Sequence, residues 1–559
     1  MLSFLIYLLL FSSPLTAQDY PITLQTDFYR IIDRNLVIKG KQKNVHTTFK
    51  PYNAAKIAGW LDELDSSSFS DLELKYLARE LVTFETKARN YVEPSERKYF
   101  FKEDNALFKW KAPVSENEKY SFSANPVLNF NFGLSSSTEP TKKINDTLFL
   151  NSRGAEVFGF LGNKVGLYTY FADNQTVVPV YADRKIQKNG AVPGEGQWVL
   201  FKNKGYDFYS ARGFATFDVF KPYINFQFGH GRHFIGNGFR SVVLSDYATD
   251  YPYFKLTTRV GKIQYTNLFA QLTDFIINKD DGAGVYPKKY FALHHLSINL
   301  TDRFNIGFFE SVVNGLPDSL NGGFEISYLN PLIFYRSAER NLGSPHNGNL
   351  GMDLSYDFYH SVQLYAQFLL DDFNFAERKN GKGYWGNKYG LQSGIKYFNF
   401  AGVDHLDFQY EWNSAQPYTY SHWLSKGQNY SHFGQELAHP TGANFMENIF
   451  ALNYCFRSRY TINVRYFYIQ QGLDSIGVEW GGNIFGTGNP HQIYENRVLQ
   501  GIPSTTELLY GVFTWRWNYN VFIDFTFFRR NQIIGDDEFL STGWMAGLRM
   551  NIGRKEYLF

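Results

Sequence analysis

From about residue 120 onward, apolar residues recur at every second position. In Leu406-Asp407-Phe408-Gln409-Tyr410-Glu411-Trp412 the intervening residues are polar or charged, and 362–370, 460–466, 521–527 and 544–552 follow the same rule. A period of two makes one strand face apolar and leaves the other wet. Upstream the period is helical. Stretch 52–64 spaces Ile57, Trp60, Leu61 and Leu64 for one helix face, and 71–89 repeats this with Leu72, Leu74, Leu77, Leu81 and Val82. Ser68 and Ser70 are candidate caps for that second helix. The pattern predicts a small helical segment followed by many strands.

Alternation alone would also suit a secreted soluble β-protein, so the connections decide. Tight polar ones (Gly162-Asn163-Lys164, Thr301-Asp302-Arg303, Arg457-Ser458-Arg459, Asn518-Tyr519-Asn520) take turns with long ones at 173–205, 230–253, 273–289, 413–447 and 471–505. Short turns at one end and long loops at the other are the pattern of outer-membrane barrels, with the short turns periplasmic. Strands of about ten residues tilted near 40° cover the apolar thickness. The expected fold is therefore all-β: a transmembrane antiparallel β-barrel over 116–559 with long extracellular loops. A periplasmic helical segment at 18–115 would precede it. The pattern yields about 18 strands, an even number with both termini periplasmic. About 20 is the alternative, depending on whether the apolar runs flanking Asn330-Pro331 are two strands or a strand and an inward fold.

Composition supports a wall built of strands. Phe, Tyr and Trp make up 19% of the 559 residues, yet the mean hydropathy is −0.33, too polar for a bundle of membrane helices. Lipid-facing strands and interfacial girdles absorb such rings, with Trp412, Tyr468, Trp515 and Trp517 at strand ends. The apolar run 2–11, the break at Ser12-Ser13-Pro14 and the small residues to Ala17 read as a signal peptide over 1–17, although no Lys or Arg precedes the run. Later runs are too short for a spanning helix, so any span is built from strands. Lys and Arg number 55 against 53 Asp and Glu, which gives no basic surplus for a nucleic-acid partner. The single cysteine, Cys455, excludes a disulfide framework and a cysteine-rich metal site. Tyr557-Leu558-Phe559 follows the final strand and ends in an aromatic, as recognition by barrel-assembly machinery requires.

Loop 413–447 is the most informative for chemistry. Between Asn413 and Phe445 only Lys426 and Glu436 are charged, so the loop is expected to fold against or into the barrel. Aromatic faces beside amide and imidazole edges suit a neutral sugar, whose CH groups stack while its hydroxyls hydrogen-bond. The candidate polysaccharide contacts are Tyr418, Tyr420, His422, Trp423, Tyr430, His432, Gln435, His439 and Asn444. A structural lid whose polar groups satisfy one another is the other reading of the same residues. Arg232 and Arg240 add candidate contacts to an acidic polysaccharide or a lipid phosphate, while the proximity of Asp246 and Asp250 favours internal pairing. His230 and His233 lie among glycines that oppose a helix, so no metal site is expected. His294 and His295 point to opposite faces of a strand. No nucleophile elbow, zinc-type histidine pair or phosphate-cradling loop is present, so neither an enzyme nor a cofactor is expected.

Several blocks carry a family likeness. They are Arg153-Gly154-Ala155-Glu156 through Asp173-Asn174-Gln175, Gly236-Asn237-Gly238-Phe239-Arg240-Ser241 with Leu244-Ser245-Asp246, and Lys262-Ile263-Gln264-Tyr265-Thr266-Asn267. Tyr328-Leu329-Asn330-Pro331, Gln416-Pro417-Tyr418-Thr419-Tyr420-Ser421-His422, Asn429-Tyr430-Ser431-His432 and the specific block Ala438-His439-Pro440-Thr441-Gly442-Ala443-Asn444-Phe445 belong with them. Together with His46-Thr47-Thr48-Phe49-Lys50-Pro51-Tyr52, the chain resembles the capsule-assembly Wzi-type outer-membrane proteins nearly end to end, nearest to the gliding-motility members of the Bacteroidetes. The resemblance implies an 18-stranded barrel with a periplasmic helical segment. For capsule members it implies a surface lectin that holds exported polysaccharide. For gliding members it implies a motility component tied to adhesion and type IX secretion. It fixes no sugar-binding residue in this sequence. The expected role is thus non-enzymatic surface attachment, with outer-membrane lipid, lipopolysaccharide, surface polysaccharide and gliding or type IX components as partners. A porin-like solute channel and an outer-membrane hydrolase are the alternatives.

Overall fold

The two faces promised by the alternation belong to one closed wall. In a computed structural model the described residues are 22, 24, 27–40, 45–63, 69–70, 73–74, 77, 108–115, 118–161, 165–220, 223–274, 276–277, 284–315, 329–333, 347–423, 426–518 and 520–559. Among them, eighteen antiparallel strands form a barrel from Glu118–Glu139 to Asp537–Met550. The ring closes where Leu540 through Met550 pair with Thr138 back to Leu128. The signal peptide expected at 1–17 lies outside the described residues, and no described helix is long and apolar enough to cross a membrane.

The doubt about strand number ends at Asn330-Pro331. Phe304–Asn314 pairs directly with Asn347–Phe358, so the intervening chain adds no strand to the ring. Its described part, 329–333, is not a strand, and the Tyr265 hydroxyl on the outward face donates to the Pro331 carbonyl. The apolar runs on either side lie largely outside the described residues.

The strands joined across 162–164, 221–223, 261–262, 300–303, 359–361, 398–405, 457–459 and 519–520 meet there at one end of the barrel. At the other end the strands are joined across 178–204, 232–250, 274–287, 315–346, 373–387, 416–444 and 474–501, with two tight turns at 140–141 and 535–536. Phe130, Phe132, Phe228, Leu364, Phe450, Phe513, Phe525 and Trp544 point outward and are exposed, as a lipid-facing band requires. Their neighbours point inward and are polar yet buried, among them Asn305, Asp353, Gln363, Gln367 and Glu411. Each such group costs about 1–3 kcal/mol if left unpaired. Segments that enter the barrel supply partners to Asn305, Gln367 and Glu411, while Asp353 and Gln363 bond His295 and Asp357 of the wall itself.

The N-terminal segment enters at the short-turn end. Helices Asp27–Lys39 and Ala54–Glu63 bury Phe28, Ile31, Ile32, Leu36, Ile57, Trp60 and Leu61 in one apolar cluster, which extends to Phe522 on the inner wall. Between the helices, residues 46–50 line up against the inner wall and loop 232–250. His46 bonds Ser297 at 2.8 Å, Thr48 donates to Asn305 at 3.0 Å, and Phe49-Lys50 pairs with Phe234-Ile235. Arg34 meets Asp407 of the wall at 3.3 Å. Ser70 and Glu73 form a reciprocal cap, with Ser70 Oγ donating to Glu73 at 3.0 Å and accepting the Glu73 N–H at 3.3 Å. Most of the helix expected at 71–89, like Ser68, lies outside the described residues.

The C-terminal tail follows the final strand. After Met550 the chain turns into the lumen instead of ending along the wall, and Phe559 packs against Tyr181 and Tyr247. Buried counter-charges explain the turn. Arg465 grips both Glu556 oxygens at 2.5 and 3.0 Å, Arg554 adds 2.9 Å, and Lys555 meets Glu195 at 2.9 Å. Burial pushes the Glu556 carboxyl up, but Arg465 and Arg554 outweigh it and hold it at about 2, below its ordinary 4.5. A depressed carboxyl stabilises the fold above its unfolded value and loses that contribution as pH falls through the folded one. Barrel stability should therefore decline between about pH 4.5 and 2, and Glu556→Gln should flatten that part of the profile in urea titrations. An unchanged profile would show that the tail is not held by this pair.

Candidate functional site at the loop-bearing end

Loop 416–444 folds down into the barrel mouth. Tyr418, Tyr420 and Asn444 sit at φ of 65°, 73° and 55°, a region that non-glycine residues enter only under outside constraint. The constraints are visible. The Tyr420 N–H donates to Asp371 at 2.7 Å, its hydroxyl donates to the Val242 carbonyl at 2.7 Å, and its ring stacks on Tyr430 at 5.8 Å. Asn444 donates to the Gly472 and Gln500 carbonyls, both at 2.8 Å, and accepts the Leu499 N–H at 2.7 Å. Tyr418 donates to the Glu479 carbonyl at 2.7 Å and accepts the His491 N–H at 3.1 Å.

The histidines act as neutral struts. His432 Nδ1 accepts the Thr273 N–H at 3.0 Å, so its proton lies on Nε2, which donates to the Asp250 carbonyl at 3.2 Å. Burial lowers its pKa to about 4, which keeps the ring neutral. His439 accepts the Thr441 N–H at Nδ1 and donates from Nε2 to Glu447 at 2.6 Å, with its ring stacked on Phe445 at 4.2 Å. Burial lowers its pKa too, although Glu447 opposes the shift. Gln435 accepts the Gly194 N–H and donates to the Glu195 carbonyl, both at 2.7 Å. The His422 N–H donates to Asn429 at 2.7 Å. Of the nine candidate contacts in this loop, Trp423 alone is exposed, at 55%. The structure brings the other eight together as the buried fabric of the loop.

Loop 232–250 enters beside it. Arg232 forks onto Asp250 at 2.8 and 3.0 Å, and Arg212 of the wall reaches the same carboxylate at 2.7 Å. Asp246 offers Arg232 its backbone carbonyl, at 3.0 Å. For Arg240 the pairing expected from sequence proximity is corrected. It reaches Glu447 at 3.5 Å and the Leu558 carbonyl, because the loop turns it away from Asp246 and Asp250 and toward the tail. Its own N–H and that of Phe239 donate to Glu411 at 2.9 and 2.6 Å. Glu411 is a structural anchor that the sequence marked only as one more polar strand position. His294 bonds Asn267 on the outward face, and His295 bonds Asp353 inside. Among the described residues no cluster of His, Cys, Asp and Glu is arranged to hold a metal ion.

Among the described residues the lumen holds a chamber of about 520 Å³ bordered by Asp33, Lys50, Arg240, Lys396, Arg465 and the tail. Loops 373–387 and 474–501 pack against each other and against 416–444. The sequence reading missed loop 373–387, whose signal was the aromatic pair Tyr384-Trp385 next to Gly381 and Gly383.

No protein-family model matches the chain, and no curated protein matches it in sequence. Among solved structures it is similar to Wzi of Escherichia coli, an outer-membrane protein involved in group 1 capsule assembly and described as a carbohydrate-binding β-barrel. The two are 13% identical at a TM-score of 0.55, over 96% of this chain and 100% of that one. The outer-membrane barrel OccK8 (OprE) of Pseudomonas aeruginosa aligns at a TM-score of 0.41 and 11% identity, over 76% of this chain and 98% of its own. OccK1 (OpdK) of the same organism aligns at 0.42 and 9%, over the same 76% and 98%. The fold of this chain is that of an outer-membrane β-barrel, shared with Wzi along nearly its whole length.

Proposed function

We propose that the protein is a non-enzymatic outer-membrane barrel that attaches a surface polysaccharide at its loop-bearing end, for capsule retention or for gliding adhesion. In this reading the short turns and the N-terminal segment face the periplasm, the long loops face outward, and lipopolysaccharide surrounds the exposed band. The observation that carries it is the filled lumen. The N-terminal segment, loops 232–250 and 416–444 and the tail meet inside the barrel and are tied by strand pairing, buried hydrogen bonds and buried ion pairs. The carbohydrate-binding description of Wzi, whose fold this chain shares, supports the same reading.

A deletion strain tests it. Loss of the gene should release polysaccharide from the cell surface into the medium if the role is capsule retention, or abolish spreading on agar if it is gliding adhesion with type IX components. Normal behaviour in both assays would overturn the proposal. Within the loop, Trp423→Ala should weaken polysaccharide binding by roughly 2- to 10-fold, because one ring contact is worth about 0.5–1.5 kcal/mol. Barrel abundance, read from heat-modifiable mobility on gels, should stay unchanged, since this ring is exposed.

A further inference from the structure

Two of the outer loops are joined as one rigid piece. The Trp385 N–H donates to the Ile493 carbonyl at 3.0 Å, Glu495 N–H to Lys382 at 2.6 Å, and Asn496 N–H to Gly383 at 2.9 Å. The approach leaves no room for a side chain at Gly383, where an added Cβ would sit 2.6 Å from the Asn496 oxygen at a φ of +66°. The Asn496 amide then donates to the carbonyls of Gly383, Gln492 and Tyr494, locking the turn from within.

This joint presents three rings. Tyr384 lies 6.0 Å from Tyr494 and 6.1 Å from Trp385, at interplanar angles of 49° and 54°. Tyr418 props Trp385 edge-on at 6.1 Å, and the buried Lys388 ammonium lies 5.5 Å from its centre. Tyr494 is 40% exposed, and Tyr384 and Trp385 are half-buried. The rings belong to connections between strands and not to the wall, so a lipid-facing band does not account for them. Three partly exposed rings held about 6 Å apart offer their surfaces to the CH groups of successive pyranose residues. Because the rings are already immobilised, little ordering cost remains to be met on binding.

Building on the polysaccharide-attachment reading, we infer that Tyr384, Trp385 and Tyr494 form the stacking platform on which a pyranose chain is seated. The buried tyrosines of loop 416–444 then serve as its foundation, with Tyr418 directly beneath Trp385. The platform is a different surface from Trp423, which borders the far part of loop 474–501, where a Cβ on Gly488 would come within 2.8 Å of the His422 carbonyl.

The test uses the full-length barrel in lipid nanodiscs and surface polysaccharide extracted from the source strain, with binding read by co-sedimentation. Tyr384→Ala with Tyr494→Ala should weaken binding at least tenfold, while Tyr384→Phe with Tyr494→Phe, which keeps both faces, should stay within twofold of the parent. Heat-modifiable mobility reports that each variant is folded. If the double alanine variant fails to fold, Tyr494→Ala alone takes its place, with a loss of at least threefold expected. Parent-like binding by a folded alanine variant would overturn the platform and leave the attachment reading standing. Absence of binding by the parent barrel would overturn both.

Discussion

Replacing Glu447 with alanine is expected to cost the folded barrel about 3–5 kcal/mol and to loosen the loop that fills its mouth. Glu447 is fully buried and stands where three elements meet. It accepts from His439 at 2.6 Å and from Asn413 at 3.0 Å, and it faces Arg240 at 3.5 Å. Without it, the Arg240 guanidinium stays buried between the Phe239 and Phe467 rings with the Leu558 carbonyl as its remaining hydrogen-bond acceptor, and its Nε already has no hydrogen-bond partner. An uncompensated buried charge costs more than its lost contacts alone. Urea unfolding in lipid should show the shift in midpoint, and limited proteolysis should cut within 416–444. Glu447→Gln preserves the shape but not the charge, so it should fall between parent and alanine variant. A parent-like midpoint in the alanine variant would refute this view of the loop.

Asp250→Ala is the second large effect, again about 3–5 kcal/mol, because it strands two guanidiniums. Arg212 belongs to the wall and Arg232 to the inserted loop, so their shared carboxylate is the clasp between them. The damage should spread. Loop 232–250 carries Phe234-Ile235, which pairs with Phe49-Lys50, so releasing the loop should also expose the N-terminal segment to protease. The two substitutions should not add. Arg240 of this loop faces Glu447, and a double variant should deviate from the sum by about 0.5–3 kcal/mol.

The wall was legible in the sequence because lipid and lumen impose opposite demands on neighbouring residues. Leu406, Phe408, Tyr410 and Trp412 alternate with Asp407, Gln409 and Glu411, and a wall with two different faces needs that pattern. What fills the barrel was less so. Glu411 reads as one polar strand residue among many, and its partners Phe239 and Arg240 lie more than 170 residues away. Sequence proximity favoured the wrong acids for Arg240 for the same reason, since its carboxylate stands 207 residues on. The ring-rich loop was recognised as folded, but residue type does not separate a ring that packs from one that faces water. Tyr420 is 1% exposed and Trp423 is 55%, three positions apart. The path of the tail after the final strand was not legible, because nothing local reveals that Arg465 and Arg530 await it inside.

Planar-bilayer recording of the purified full-length barrel tests the central claim most directly. A barrel filled by its N-terminal segment, two loops and its tail for surface attachment should insert without steady conductance. A large, stable single-channel conductance would contradict the account and favour a solute channel in its place.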